Sequence, residues 1–115
     1  MSQTSGNPSK PFRRLLLTGA AGNLGKQLRG KLAEWADIVR VSDIVPITAD
    51  APHEEAMQVD LADRAAVHAL LADVDALVHL GGISVEAPFD DILQANILGL
   101  YNVYSAAQKQ GVRRI

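Results

Sequence analysis

An apolar run that breaks into regularly spaced glycines constrains this chain more than any other stretch. It reads Arg14-Leu15-Leu16-Leu17-Thr18-Gly19-Ala20-Ala21-Gly22-Asn23-Leu24-Gly25. Apolar residues without alternation predict a strand buried on both faces, the kind found in parallel sheets. Gly19, Gly22 and Gly25 follow at intervals of three, and Lys26 to Trp35 then has helix-forming composition, with Leu24, Leu28 and Leu32 along one stripe. Strand, glycine turn and helix together make a phosphate cradle. Gly19 permits a sharp turn, Gly22 lets a pyrophosphate approach the backbone, and Gly25 lets the helix pack close to the sheet. The helix N-terminus offers free N–H groups and the positive end of a dipole.

Asp37 to Asp43 predicts a second strand that ends in a carboxylate, eighteen residues past Gly25. That is close to the ~20-residue spacing of an acid that accepts hydrogen bonds from an adenosine ribose. A carboxylate at this place repels a 2′-phosphate, and Ile44-Val45-Pro46 supplies no Arg or Lys to receive one. NAD is therefore favoured over NADP.

A loop with two prolines follows, then a short third strand, Glu55 to Val59, ending in Asp60-Leu61. Asp60 can accept from an adenine amino group or serve as a helix-entry residue, and spacing leaves both open. Asp63 is the expected N-cap of the next helix, whose apolar face is Val67, Leu70 and Leu71. Ala76 to Leu80 is the fourth strand, running into Gly81-Gly82-Ile83-Ser84. Paired glycines at a strand's C-terminal end suit close approach of a ligand, which in an open parallel sheet binds outside those ends. His79 has no partner at metal spacing and reads as a hydrogen-bonded core residue; no metal site is expected.

The longest helical pattern runs from Pro88 to about Lys109, with Phe89, Leu93, Leu100, Val103 and Ala107 on one face. Asn96 falls on the same stripe, as a structural hydrogen-bond hub or as part of a site. Gly111 is the expected helix stop, and Val112 to Ile115 looks like the approach to a fifth strand. The fold class that results is α/β, a Rossmann-like doubly wound parallel sheet of strand order 3-2-1-4. Residues 1–12, rich in Ser, Gln, Asn and Pro, read as a disordered lead-in to an NAD-binding domain whose N-terminal part is 13–115.

A net charge of −2 gives no electrostatic footprint for nucleic acid or an anionic membrane. No run approaches the ~20 apolar residues of a membrane span. The absence of cysteine excludes disulfides and Cys-ligated zinc and fits a reducing, cytoplasmic setting.

The Thr18–Gly25 turn, Asp43, Asp60-Leu61 and His79-Leu80-Gly81-Gly82 together resemble the N-terminal half of an extended short-chain dehydrogenase/reductase. The narrower block His-Leu-Gly-Gly-Ile-Ser-Val-Glu (79–86), with Pro88-Phe89, Ile92-Leu93-Gln94, Asn96-Ile97 and Gly99-Leu100-Tyr101-Asn102, is similar to the uronate dehydrogenases. The resemblance implies oxidation of galacturonate and glucuronate to aldarolactones with NAD. It implies NAD contacts from Gly19, Gly22, Asn23, Leu24, Asp43, Asp60, Leu61, Leu80, Gly81, Gly82 and Ile83, and a contact to the uronic acid from Ser84. From the residues alone Ser84 is only a polar residue after a glycine pair. A homo-oligomer is expected of the full-length protein.

Such enzymes use a Tyr with a Lys four residues later, the ammonium lowering the phenol pKa so that a tyrosinate can take the sugar proton. Here Tyr101 is followed at that spacing by Ser105, and Tyr104 by Gln108. No catalytic residue is therefore expected within these 115 residues, and the dyad is expected past Ile115. Alone, the chain is expected to be inactive and prone to aggregate along a bare central strand. A sugar-nucleotide epimerase or dehydratase of the same superfamily, or a non-catalytic dinucleotide-binding module, are the competing expectations.

Overall fold

In the computed structural model, residues 10–81, 90 and 93–113 are described. Strand β1 (Phe12–Thr18) is followed by helix α1 (Asn23–Arg29), a short 3-10 turn (Leu32–Glu34), β2 (Ala36–Asp43), β3 (Glu54–Gln58), α2 (Arg64–Leu70) and β4 (Ala76–His79). A π-helical segment, Leu93–Leu98, then runs into α3 (Gly99–Gln110). All pairings are parallel and the strand order is β3-β2-β1-β4, as expected. Registers Thr18↔Ser42, Thr18↔His79 and Asp43↔Gln58 bring the C-terminal ends of all four strands to one rim.

β1 is central because its residues suit no exposed face: Leu15, Leu16, Leu17 and Thr18 are all buried. Alternation along it feeds two cores. Leu16 packs with Val67, Leu70, Leu77, Val103 and Ala107 on the α2–α3 side. Leu15 and Leu17 pack with Val39, Val41 and Ala76 on the other side, against Leu28 and Leu32. Apolar layers on both faces are what makes the sheet doubly wound.

Charged side chains tie the layers. Arg29 on α1 donates to Glu54 Oε1 at 2.7 Å and to Thr48 O at 2.7 Å, fastening the β2–β3 loop to the helix. Glu55 Oε1 accepts from Arg14 Nε and Arg40 Nε, both at 3.1 Å. Arg40 also donates to Leu70 O at 2.8 Å and Ala72 O at 2.9 Å, satisfying carbonyls at the end of α2. Asp63 caps α2 as expected, accepting from Ala66 N at 3.2 Å. Gly111 ends α3 at φ 74°, also as expected.

Three expectations need correction. The first helix stops at Arg29, and Leu24 is 55% exposed, so the stripe that packs is Leu28 and Leu32 without Leu24. Gly25 serves the turn itself, since a Cβ there would lie 2.3 Å from Gly19 O and 2.7 Å from Ala20 Cα. On the last helix Leu100 is 38% exposed, while Gly99, Asn102, Val103, Ala106 and Ala107 are buried. Val103 and Ala107 keep the expected face; Leu100 stands at its edge, on the side away from Asn102 and Ala106, where the buried stripe ends. The start of that pattern at Pro88 and Phe89 lies outside the described residues, and Asn96 is half-buried in the π-helical segment.

Candidate functional site

The rim is built on Gly19. Its φ is 69°, and a Cβ there would sit 2.7 Å from the Leu80 carbonyl and 2.9 Å from Gly81 N. The turn after β1 is thus pressed against the chain leaving β4, an approach only glycine permits. Gly22 is different: the one atom within 4 Å of its hypothetical Cβ is Gly19 O, at 3.4 Å. The backbone at Gly22 faces open space. Gly22 N–H donates to Gly19 O at 3.1 Å, and Gly22 O accepts the first bond of α1 from Lys26 N at 2.9 Å. No side chain caps α1 and its first turn holds no acid, so Asn23 and Leu24 begin a helix whose N–H groups are open to an anion.

Asp43 ends β2 beside that turn. Its Oδ2 accepts from Ala21 N at 3.0 Å, and its Oδ1 accepts from Ile44 N at 2.7 Å. The carboxylate is half-buried and lies where the spacing from Gly25 places it. At the end of β3, Asp60 Oδ1 accepts from Ala62 N at 2.9 Å, the helix-entry turn that the sequence left as one alternative. Its Oδ2 makes no hydrogen bond among the described residues. Leu61 lies against the β4 exit, its Cδ1 2.7 Å from where a Cβ on Gly81 would stand.

Thr18 holds that exit in place. Its Oγ1 accepts from Leu80 N at 2.9 Å and from Gly81 N at 3.0 Å. Both lone pairs are then used, so the hydroxyl proton points to His79 Nδ1, 2.7 Å away. His79 Nδ1 is therefore an acceptor, and the ring carries its proton on Nε2. Burial pushes the imidazole below its usual pKa and keeps it neutral. The hydrogen bond expected of His79 is present, but the residue is half-buried at the end of β4 rather than part of the core.

The sequence passed over Thr18, and also Asn102, whose Nδ2 donates to Leu61 O at 2.9 Å. A Thr just before the first glycine, where the strand end meets a turn, was the available signal for Thr18. For Asn102 the signal was an amide among small and apolar residues on a helix. Gly82, Ile83 and Ser84 lie outside the described residues. Tyr101 and Tyr104 are exposed on α3 and carry no lysine at the required spacing. No cluster of metal-ligating side chains occurs among the described residues.

The rim therefore joins Gly19, Gly22, Asp43, Asp60, Leu61, Leu80 and Gly81 on one edge of a parallel sheet. Comparison with known proteins places this arrangement. The uronate dehydrogenase of Pseudomonas putida is 57% identical over 106 residues, which are 91% of this chain and 40% of that relative. A uronate dehydrogenase of Agrobacterium fabrum is 55% identical over 104 residues, 90% of this chain and 39% of the relative. Among solved structures, a mutant uronate dehydrogenase from Agrobacterium tumefaciens complexed with NAD superposes with a TM-score of 0.84 at 55% identity, over 87% of this chain and 38% of that one. The chain thus spans about 40% of the length of the relatives it matches. The sequence profile of the NAD dependent epimerase/dehydratase family matches residues 15–115. These residues belong to the NAD dependent epimerase/dehydratase family.

Proposed function

We propose that these residues form the NAD-binding part of a uronate dehydrogenase, which oxidises galacturonate and glucuronate to aldarolactones. The observation that carries the reading is Asp43, fixed at the end of β2 by the glycine turn's own N–H. Its carboxylate is the acceptor for the adenosine ribose hydroxyls and the group that disfavours a 2′-phosphate. The open backbone at Gly22, with Gly19, Asn23 and Leu24, receives the pyrophosphate. Asp60 and Leu61 border the adenine. Leu80, Gly81, Gly82 and Ile83 floor the nicotinamide side, and Ser84 contacts the uronic acid. The relatives at 54–57% identity supply the substrate class.

A bound NAD, held by the glycine turn and Asp43, would supply the hydride acceptor for oxidation of the sugar carbon. What these residues do is bind and orient. Neither Tyr101 nor Tyr104 has the lysine that would make it a base, so proton abstraction is assigned to residues outside this stretch. The absence of cysteine supports a cytoplasmic setting. Exposed Ile97 in the π-helical segment, with exposed Tyr101 and Tyr104 on α3, supports self-association of the full-length protein. Among the described residues no helix is long and apolar enough to cross a membrane.

The test is NADH formation by the full-length protein with galacturonate and NAD. Ser84→Ala is expected to lower turnover or raise the uronate KM while NAD affinity stays constant. Activity only on nucleotide sugars would replace this reading with an epimerase or dehydratase.

A further inference from the structure

The turn between β3 and α2 secures itself by local bonds: Ala62 N to Asp60 Oδ1 and Asp63 N to Asp60 O, both at 2.9 Å. These fix its shape but not its position against the rest of the rim. Position comes from Leu61, which packs against the core on the α2–α3 side, and from two further contacts. Leu61's side chain rests over Gly81, and Asn102 on α3 donates from Nδ2 to Leu61 O at 2.9 Å. Asn102 is 8% exposed, and its neighbours on the buried stripe are Gly99, Val103 and Ala106. A stripe that serves packing alone has no use for an amide, whose desolvation must be repaid by hydrogen bonding. Here the bond goes to the carbonyl one residue past Asp60. Asp60 in turn keeps Oδ2 free of hydrogen bonds among the described residues and is exposed to solvent.

We propose that Asn102 is a positioning residue for the adenosine end of the dinucleotide site. By anchoring Leu61 O it holds the Asp60-Leu61 turn, and so the exposed carboxylate of Asp60, against the Gly81 side of the rim. α3 thereby sets the adenosine end without touching it. This inference rests on the NAD reading above.

Two substitutions test it in the full-length protein. Asn102→Asp keeps the shape but replaces the donor by an acceptor, and Asn102→Leu removes the donor at similar volume. ADP-ribose and nicotinamide mononucleotide serve as probes of the two ends, with NAD as the reference. Both variants are expected to bind ADP-ribose and NAD about tenfold more weakly, or ~1.4 kcal/mol, while binding of the mononucleotide is unchanged. A general loss of packing would not separate the two ends. Equal weakening of both probes, unchanged ADP-ribose affinity in either folded variant, or failure of both variants to fold would overturn the proposal. Wild-type protein that binds none of the three removes the NAD reading itself, and this inference with it.

Discussion

Asp43 and Ala21 are joined across the rim: the Ala21 N–H donates to Asp43 Oδ2 at 3.0 Å. Beside it, Ala20 N donates to Ser42 O at 3.1 Å, so the end of β2 and the glycine turn are laced by two parallel bonds. One of them depends on a side chain. The residue proposed to read the ribose is thus also a brace of the phosphate cradle.

Asp43→Ala should therefore weaken NAD binding by roughly 1–3 kcal/mol, the scale of a lost charged hydrogen-bond partner, and narrow the advantage over NADP. Titration of both dinucleotides against the full-length protein measures it. If both affinities stay where they were, Asp43 does not read the ribose.

The glycines of the turn should separate by experiment. Gly22→Ala meets nothing nearer than 3.4 Å and should leave the melting temperature almost unchanged while NAD binding falls. Gly19→Ala combines a φ of 69° with a contact of 2.7 Å to the Leu80 backbone and should destabilise the fold itself. Thermal melts paired with NAD titrations decide this. A Gly22→Ala protein that binds NAD normally would place the pyrophosphate elsewhere.

Arg29 and Glu54 form a buried pair, their side chains 11% and 2% exposed. Arg29→Ala leaves the Glu54 carboxylate uncompensated and should cost about 3 kcal/mol, read by denaturant unfolding. Recovery of part of that loss in Arg29→Met combined with Glu54→Gln would confirm that charge burial is the cause. No loss in Arg29→Ala would mean that the β2–β3 loop is held by other contacts.

Acid should unfold the protein through three carboxyls. Burial is the strongest single influence on Glu54 and pushes it up, but the Arg29 hydrogen bond, the Asp50 N–H and the nearby positive charge together hold it below the ordinary 4.5. Glu55 is held below 4.5 by its hydrogen bond to Arg14, against burial and with help from Arg40. For Asp75, burial is outweighed by the N–H groups of Arg13 and Arg14, keeping it below 3.8. With folded values lower than unfolded ones, the unfolded chain binds more protons in this range. Stability is then complete above about pH 4.5 and lost as pH falls through the folded values. A melting temperature that holds constant to pH 3 would contradict it.

Thr18→Val should cost about 1–3 kcal/mol, because Gly81 N–H and His79 Nδ1 lose their partner, while Thr18→Ser should be nearly neutral. His79, depressed by burial, favours the fold in its neutral form, and its contribution is lost as pH falls below the usual 6.5 toward its folded value. Nitrogen shifts of the ring report the Nε2–H form directly. A doubly protonated ring at neutral pH would break the assignment.

Much of this was legible in the chain. Leu15 to Leu17 of β1 are apolar without alternation and could only be central, and strands joined by helical patterns or a long loop imply the parallel order. Asp63 and Gly111 announce their caps by residue type. Asp43 was legible because a fixed spacing ties it to the glycines. What was hidden depends on partners distant in sequence. Thr18 matters because residues 80 and 81 arrive beside it, and Asn102 because Leu61 does. On the last helix Val103 and Ala107 were legible, while Leu100 lies at the edge of their stripe, where residue type alone does not say which way it turns.

The crowding of Gly19 against Leu80 has a kinetic consequence. With no room for even a methyl group between them, the turn after β1 and the departure of β4 form one stiff ledge and have little freedom to move independently. A dinucleotide laid across both meets a surface shaped before it arrives, and little ordering entropy is lost on this part of the protein. At this part of the rim the proposed cofactor's approach asks for orientation but for no movement of Gly19 against Leu80.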